Sequence, residues 1–152
     1  MLVFPLLGCS AFTEPGPEHY SAVLSVDATR SPVTNAANAS GDALFSRRRE
    51  LLDLVINVSG LSSNATAAHI HGPAAPGAVA EILVSFFVVP GTKDARVAGG
   101  VVSATASPGV SLDSVFVLMR NGSAYVDVHT ELNPDGEIFG QIERGYPIST
   151  EP

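Results

Sequence analysis

The chain has 152 residues, of which 15% are charged and 45% hydrophobic, and it carries a formal charge of -7. That length suits one domain with a core of ordinary size and is short for two. The acidic balance excludes a nucleic-acid binder, because phosphate binding needs a clustered basic face, and no stretch approaches the roughly 20 apolar residues of a membrane span.

At the N-terminus the apolar run "LVFPLLG" ends at Gly8-Cys9 and gives way to the polar, Pro-rich "SAFTEPGPE". The "LLGC" stretch resembles a bacterial lipobox, in which the Cys is lipidated and becomes the mature N-terminus. That resemblance implies a lipid anchor at Cys9 and an extracytoplasmic protein, membrane-anchored or secreted into the periplasm. The pattern departs from such a leader in having no Lys or Arg before a short apolar run; the other reading is a tail with an incidental Cys. A single thiol excludes a disulfide within the chain. The expected organisation is a leader and linker over 1–18, a β domain over 19–146 and a C-terminal tail over 147–152.

From residue 20 onward, short runs of Val, Ile and Leu alternate with Gly, Pro, Asn and Asp. "YSAVLSV" (20–26) predicts a strand, and "SPVTNAANASGD" (31–42) a loop. "DALFS" (42–46) leads into 47–60, where Leu52, Leu54, Ile56 and Val58 take alternate positions, a strand with one face in the core. The cluster Arg47-Arg48-Arg49 beside Glu50 reads as a solvated turn or strand edge. Further strands are predicted over 65–72, 80–89, 96–105, 123–131 and 136–142. "SLDSVFVLMRNG" (111–122) suits a short helix and a strand about equally. So many short strands with Gly/Pro punctuation predict an all-β fold, an antiparallel Greek-key sandwich or barrel.

The chemistry-bearing pattern lies in the histidines, of which there are four. On a strand, residues two apart share a face, so His69 and His71 project together, about 7 Å apart by two residues of strand rise. In "AYVDVHTE" the same alternation sets Tyr125, Asp127 and His129 on one face, with Val126 and Val128 on the core face. If the two strands are neighbours, three imidazoles converge. A His-x-His with a distant third His on a β scaffold is an arrangement that copper and zinc sites use; the alternative is hydrogen-bonded imidazoles that anchor loops. His19, alone beside the Pro-rich segment, is the weakest candidate. Asn133-Pro134-Asp135-Gly136 predicts a tight turn joining an antiparallel hairpin. Glu137, just past it, either orients an imidazole or holds the hairpin together, and the second role is favoured. Gly72 and Gly77 are expected to let the chain turn after the His pair.

"GLSSNATAAHIHGPAAPG" and "GSAYVDVHTELNPDGEIFGQI" resemble the two signatures of a CHRD domain, the module of animal chordins and of many bacterial secreted or lipid-anchored proteins. The resemblance runs from about Tyr20 to Ile142. It implies a β-rich domain outside the cytoplasm, immunoglobulin-like or Greek-key, and its histidine pattern matches His69, His71 and His129 one for one. Two positions depart from it: Phe139 stands where the family usually has Arg, and Asp127 where Asn is more usual. A more distant likeness connects this pattern to Cu,Zn superoxide dismutases, themselves Greek-key proteins, as an analogy of fold and ligand type. The leading expectation is therefore an extracytoplasmic domain that binds copper, or zinc, through His69, His71 and His129, with Asp127 or Glu137 tuning the ligands from outside. Holding the ion is favoured over turnover, because the chain lacks a Ser or Cys nucleophile with an assignable base and a phosphate-cradling Gly motif. The runner-up is a metal-free adhesion module meeting a protein or polysaccharide partner.

Overall fold

The computed structural model describes residues 16–36, 38–102 and 107–146. The lipobox-like start with Cys9, the last residues of the 96–105 strand and the tail 147–152 lie outside the described residues. Among the described residues there are nine strands and one helix: β1 (Glu18–Ser25), β2 (Ser40–Arg48), β3 (Leu51–Ser59), β4 (Ala65–His71), β5 (Ile82–Phe86), β6 (Ala95–Val102), α1 (Leu112–Arg120), β7 (Tyr125–Thr130), β8 (Ile138–Gln141) and β9 (Glu143–Arg144). The fold is all-β, as expected.

Alternation decides the faces. Leu52, Leu54, Ile56 and Val58 of β3 are buried, and β3 pairs antiparallel with β2 from Ser40↔Ser59 to Arg48↔Leu51. The basic cluster is the end of this hairpin: Arg49 takes the left-handed turn conformation (φ 57°), Arg47 pairs with Asp113 at 2.6 Å and Arg48 with Asp53 at 3.0 Å. Arg47 and Arg48 are therefore engaged in ion pairs at the edge of the hairpin, in keeping with the turn-edge expectation.

The sheet runs β5-β4-β7-β8-β1-β2-β3-β6, and the two-residue β9 pairs beside β1. Its two end strands approach one another, because the chain just past β5 reaches β6 through Val89 N, which donates to Val97 O at 2.8 Å. The result is a nearly closed barrel. Followed round from β1, the strand order is 1-2-3-6-5-4-7-8, so β3 to β4 and β6 to β7 are crossovers that pass neighbouring strands, the Greek-key pattern. One consequence matters for the site: β4 and β7, far apart in sequence, are direct neighbours.

The 111–122 segment, equally suited to helix and strand, is helical. Ser111 caps it by accepting a hydrogen bond from Ser114 N at 3.2 Å, with Asp113 in the first turn and Arg120 in the last, both matched to the helix dipole. Leu112, Val115, Phe116 and Met119, at helical spacing, are buried in the main core with Tyr20, Phe45, Ile56, Ile70, Val126 and Ile138. Arg120 also grips Glu18 at the start of β1 through Nη2 at 2.9 Å and Nε at 3.1 Å.

A second, smaller apolar cluster lies away from this core and joins Ala74, Tyr125 and Phe139, with Ala80 against it. Ala74 and Ala80 belong to the connection between β4 and β5, which folds back over the outer face of β4 and β7. That connection begins at Gly72, where a Cβ would stand 2.9 Å from Ser123 O, and it turns at Gly77, whose φ is +81°. Gly77 thus serves as the sequence suggested, whereas Gly72 is needed for close approach.

Candidate metal centre

Register and pleat build the site. In the β4–β7 ladder His69 stands opposite Asp127, His71 opposite Tyr125 and Ala67 opposite His129. Ala68, Ile70, Val126 and Val128, on the alternate positions, are fully buried in the main core. Packing those four inward obliges His69, His71, Asp127 and His129 to share the outer face. The returning β4–β5 connection then covers that face, so His71 and Asp127 end up buried while His69 and His129 keep partial exposure.

All three imidazoles expected to converge do so, and one ligand atom from each of them and from Asp127 lies within 4.8 Å of the others. His69 Nδ1 is 2.9 Å from His129 Nε2. Asp127 Oδ2 lies 2.9 Å from His71 Nε2 and 3.0 Å from His129 Nε2, and Oδ1 lies 3.4 Å from His69 Nδ1. His19 belongs elsewhere: its Nδ1 meets Ser46 Oγ at 2.9 Å and Tyr146 OH at 2.6 Å on the surface of β1 and β2.

Two backbone carbonyls set the tautomers. His71 Nδ1 donates to Ala80 O at 2.9 Å and His129 Nδ1 donates to Pro134 O at 2.8 Å. With Nδ1 so engaged, Nε2 is the atom of each ring turned toward the cluster, the orientation that metal-binding histidines are given by their outer partners. Tyr125 stacks on His71 with centroids 4.8 Å apart and planes 2° from parallel. The Arg30 guanidinium covers the other face of Tyr125 at 3.8 Å, held by Asp27 Oδ2 (3.2 Å), Gln141 Oε1 (3.1 Å) and Ala78 O (2.6 Å).

Asp127 was expected to tune the ligands from outside; instead it stands in their midst. Burial pushes its carboxyl toward the neutral form, but hydrogen bonds from His129, His69 and His71 outweigh this and hold it well below the usual carboxylate range. For His129, burial pulls the ring toward neutrality and the Asp127 carboxylate outweighs it, so the ring keeps its proton above the ordinary value of 6.5. Glu137 does not touch the imidazoles. Fully buried, it accepts from Ser62 N (2.6 Å), Thr130 Oγ1 (2.6 Å) and Asn133 Nδ2 (2.8 Å), clasping the hairpin turn to the β3–β4 crossover. That is the hairpin-holding role favoured from sequence; its position at the rim of β8 carries it away from β4.

The donor set fits a transition ion. Two donors each about 2.0–2.1 Å from an ion, at tetrahedral or square angles, stand about 2.8–3.4 Å apart; four contacts span 2.9 to 3.4 Å and the whole cluster extends to 4.8 Å, so the set would tighten around an ion. Two of the atoms, His71 Nε2 and Asp127 Oδ1, are buried and have no partner outside the cluster. Asp127 was visible in the alternation with His129, but its central place needed the register. Arg30 and the two carbonyls left no sequence signal.

Fold and site together define a Greek-key β barrel bearing a compact His/Asp cluster that can hold a metal ion. The chain belongs to the CHRD domain family, whose model matches residues 20–142. No curated protein and no solved structure matches it. Phe139 is buried against Tyr125 at a centroid distance of 6.4 Å, and the cation beside it is Arg30, 6.0 Å from its ring centroid.

Proposed function

We propose that this CHRD domain is a copper-binding protein that holds one ion through His69, His71 and His129, with Asp127 completing the donor set, and that it works outside the cytoplasm. The observation that carries the reading is the convergence of four donor atoms, from His69, His71, Asp127 and His129, within 4.8 Å of one another, with the buried His71 Nε2 and Asp127 Oδ1 having no partner outside the cluster. Imidazole suits copper and zinc, and the order of affinities for divalent ions favours Cu(II). The lipobox-like "LLGC" supports anchoring at Cys9 in an oxidising compartment. Holding the ion is the role favoured over turnover. Phe139 lies packed against Tyr125, and Arg30, the nearest cation, is tied down by three partners, so neither supplies a free basic rim group to steer an anion.

The test uses the full chain with Cys9→Ser, which removes its one thiol. The protein is loaded with copper sulfate, freed of excess ion and assayed for bound metal, beside His71→Ala. Near-stoichiometric copper in the parent, lost in the variant and accompanied by a higher melting temperature, is the expected result. Equal trace copper in both would overturn it. The metal-free adhesion reading rests on a different observation: His71 and His129 already fix two loops through Ala80 O and Pro134 O. Equal trace copper would favour that reading. Zinc titrated in competition ranks the two ions.

A further inference from the structure

We propose that the centre takes copper as the cupric ion and discriminates against the cuprous ion, with Asp127 as the inner ligand that sets this preference. The inference rests on reading the cluster as a copper site, and it concerns which form of the ion that site accepts.

The donor chemistry is the first support. The cluster offers three imidazole nitrogens and one carboxylate oxygen, and no sulfur belongs to it among the described residues. Met119 is buried in the main core on α1. Soft thiolate and thioether ligands select Cu(I), whereas nitrogen and oxygen donors suit Cu(II). Imidazole alone is borderline, so the hard oxygen decides the balance.

Geometry makes that oxygen unavoidable. Asp127 is opposite His69 in the ladder, between the strand positions of its histidine neighbours, and its two oxygens are 2.9, 3.0 and 3.4 Å from nitrogens of three different rings. An ion bound to those nitrogens is within bonding reach of the carboxylate. Oδ1 has no partner outside the cluster and only 3% of the side chain is exposed, so nothing beyond the histidines competes for it. In this buried setting a negative oxygen stabilises a doubly charged ion more than a singly charged one, because charge–charge attraction grows with the product of charges and is weakly screened. A bystander carboxylate would give no such difference in ligand field.

Two competitive titrations on the Cys9→Ser chain test this, one with copper sulfate in air against a cupric chelator, the other with copper reduced by ascorbate under argon against a cuprous chelator. Each is repeated on Asp127→Asn, which keeps the shape and removes the charge. The expected result is tighter cupric than cuprous binding in the parent. In the variant, cupric affinity should fall at least about tenfold while cuprous affinity changes far less, with an altered copper hyperfine splitting in the electron paramagnetic resonance spectrum. An unchanged affinity ratio and spectrum in Asp127→Asn would overturn the proposal while leaving the copper centre standing. Failure of the parent to retain either ion would remove both. Should Asp127→Asn not fold by circular dichroism, the parent alone decides: cuprous binding as tight as cupric overturns the preference.

Discussion

The rings of Tyr125 and His71 lie 2° from parallel at a centroid separation of 4.8 Å, with the Arg30 guanidinium capping the far side of the tyrosine. This stack, with the Ala80 carbonyl on Nδ1, leaves His71 one orientation. Arg30 therefore reaches the histidine cluster through two intervening residues, by holding Tyr125 and, at Ala78 O, the connection that carries Ala80. Arg30→Ala should weaken copper binding about tenfold without touching a ligand. Isothermal titration checks it; unchanged affinity in a folded variant would show that the stack is ornamental.

Removing the ring itself has a more limited effect. An aromatic contact of this kind contributes about 0.5–1.5 kcal/mol beyond burial, so Tyr125→Leu should lower copper affinity by about two- to tenfold. Because Ala80 N also donates to Tyr125 OH at 3.3 Å, Tyr125→Phe separates the hydroxyl from the ring, and its effect should be the smaller of the two. A larger loss in the Phe variant would contradict the stacking role.

Proton competition follows from His129. Its folded-state value is raised, burial notwithstanding, by the Asp127 carboxylate. A raised value means that the metal-free protein gains stability at low pH and loses it as pH rises through the histidine range. A copper ion bound at this ring would have to displace that proton, so its binding should strengthen over the same interval. The difference in melting temperature between loaded and metal-free protein should accordingly widen from about pH 5.5 to about pH 8. A difference independent of pH would exclude His129 as a ligand.

Glu137 gives a prediction about stability alone. It is buried with its oxygens accepting from Ser62, Thr130 and Asn133; desolvation pushes its carboxyl up, and those bonds outweigh it and hold it below its ordinary range. Glu137→Ala leaves several donors unanswered and should cost about 2–4 kcal/mol, read by urea denaturation. The sign of the shift also fixes the pH dependence: the contribution is present above the ordinary carboxylate value and disappears as acid protonates the group.

At the other end of β1, Glu18 is held down to about 2, chiefly by the Arg120 guanidinium and then by the Tyr20 hydroxyl. Its contribution is complete above the ordinary value of 4.5 and fades toward pH 2. The group is well solvated, so Glu18→Gln should lower the melting temperature only modestly at neutral pH and not at all in strong acid. Equal losses at both would contradict the ion-pair account.

Much of this architecture was legible in period-two patterns. Leu52 to Val58 announced β3, and the alternation around Val126 and Val128 placed Asp127 and His129 on the correct face. The Asn133–Gly136 turn was readable because Pro and Gly restrict the backbone locally. What the pattern could not carry was anything set by register between distant strands. Asp127 looked peripheral because sequence alone could not say that it faces His69 across a ladder. Segment 111–122 was ambiguous because Leu112, Val115 and Leu118 at three-residue spacing suit a helix too short to exclude a strand; the Ser111 cap and burial of Leu112, Val115, Phe116 and Met119 decided it. Arg30 was invisible, since its importance comes from three partners scattered over the chain.

The crossover topology has a mechanical consequence. His69 and His129 are 60 positions apart, yet their ring nitrogens are 2.9 Å from each other. An ion bound to both would behave as a covalent-style tether across that span, shrinking the freedom of the unfolded chain much as a long-range disulfide does. A chain whose one cysteine can form no internal disulfide would thus acquire such a bridge reversibly, tightening when the ion arrives and slackening when it leaves.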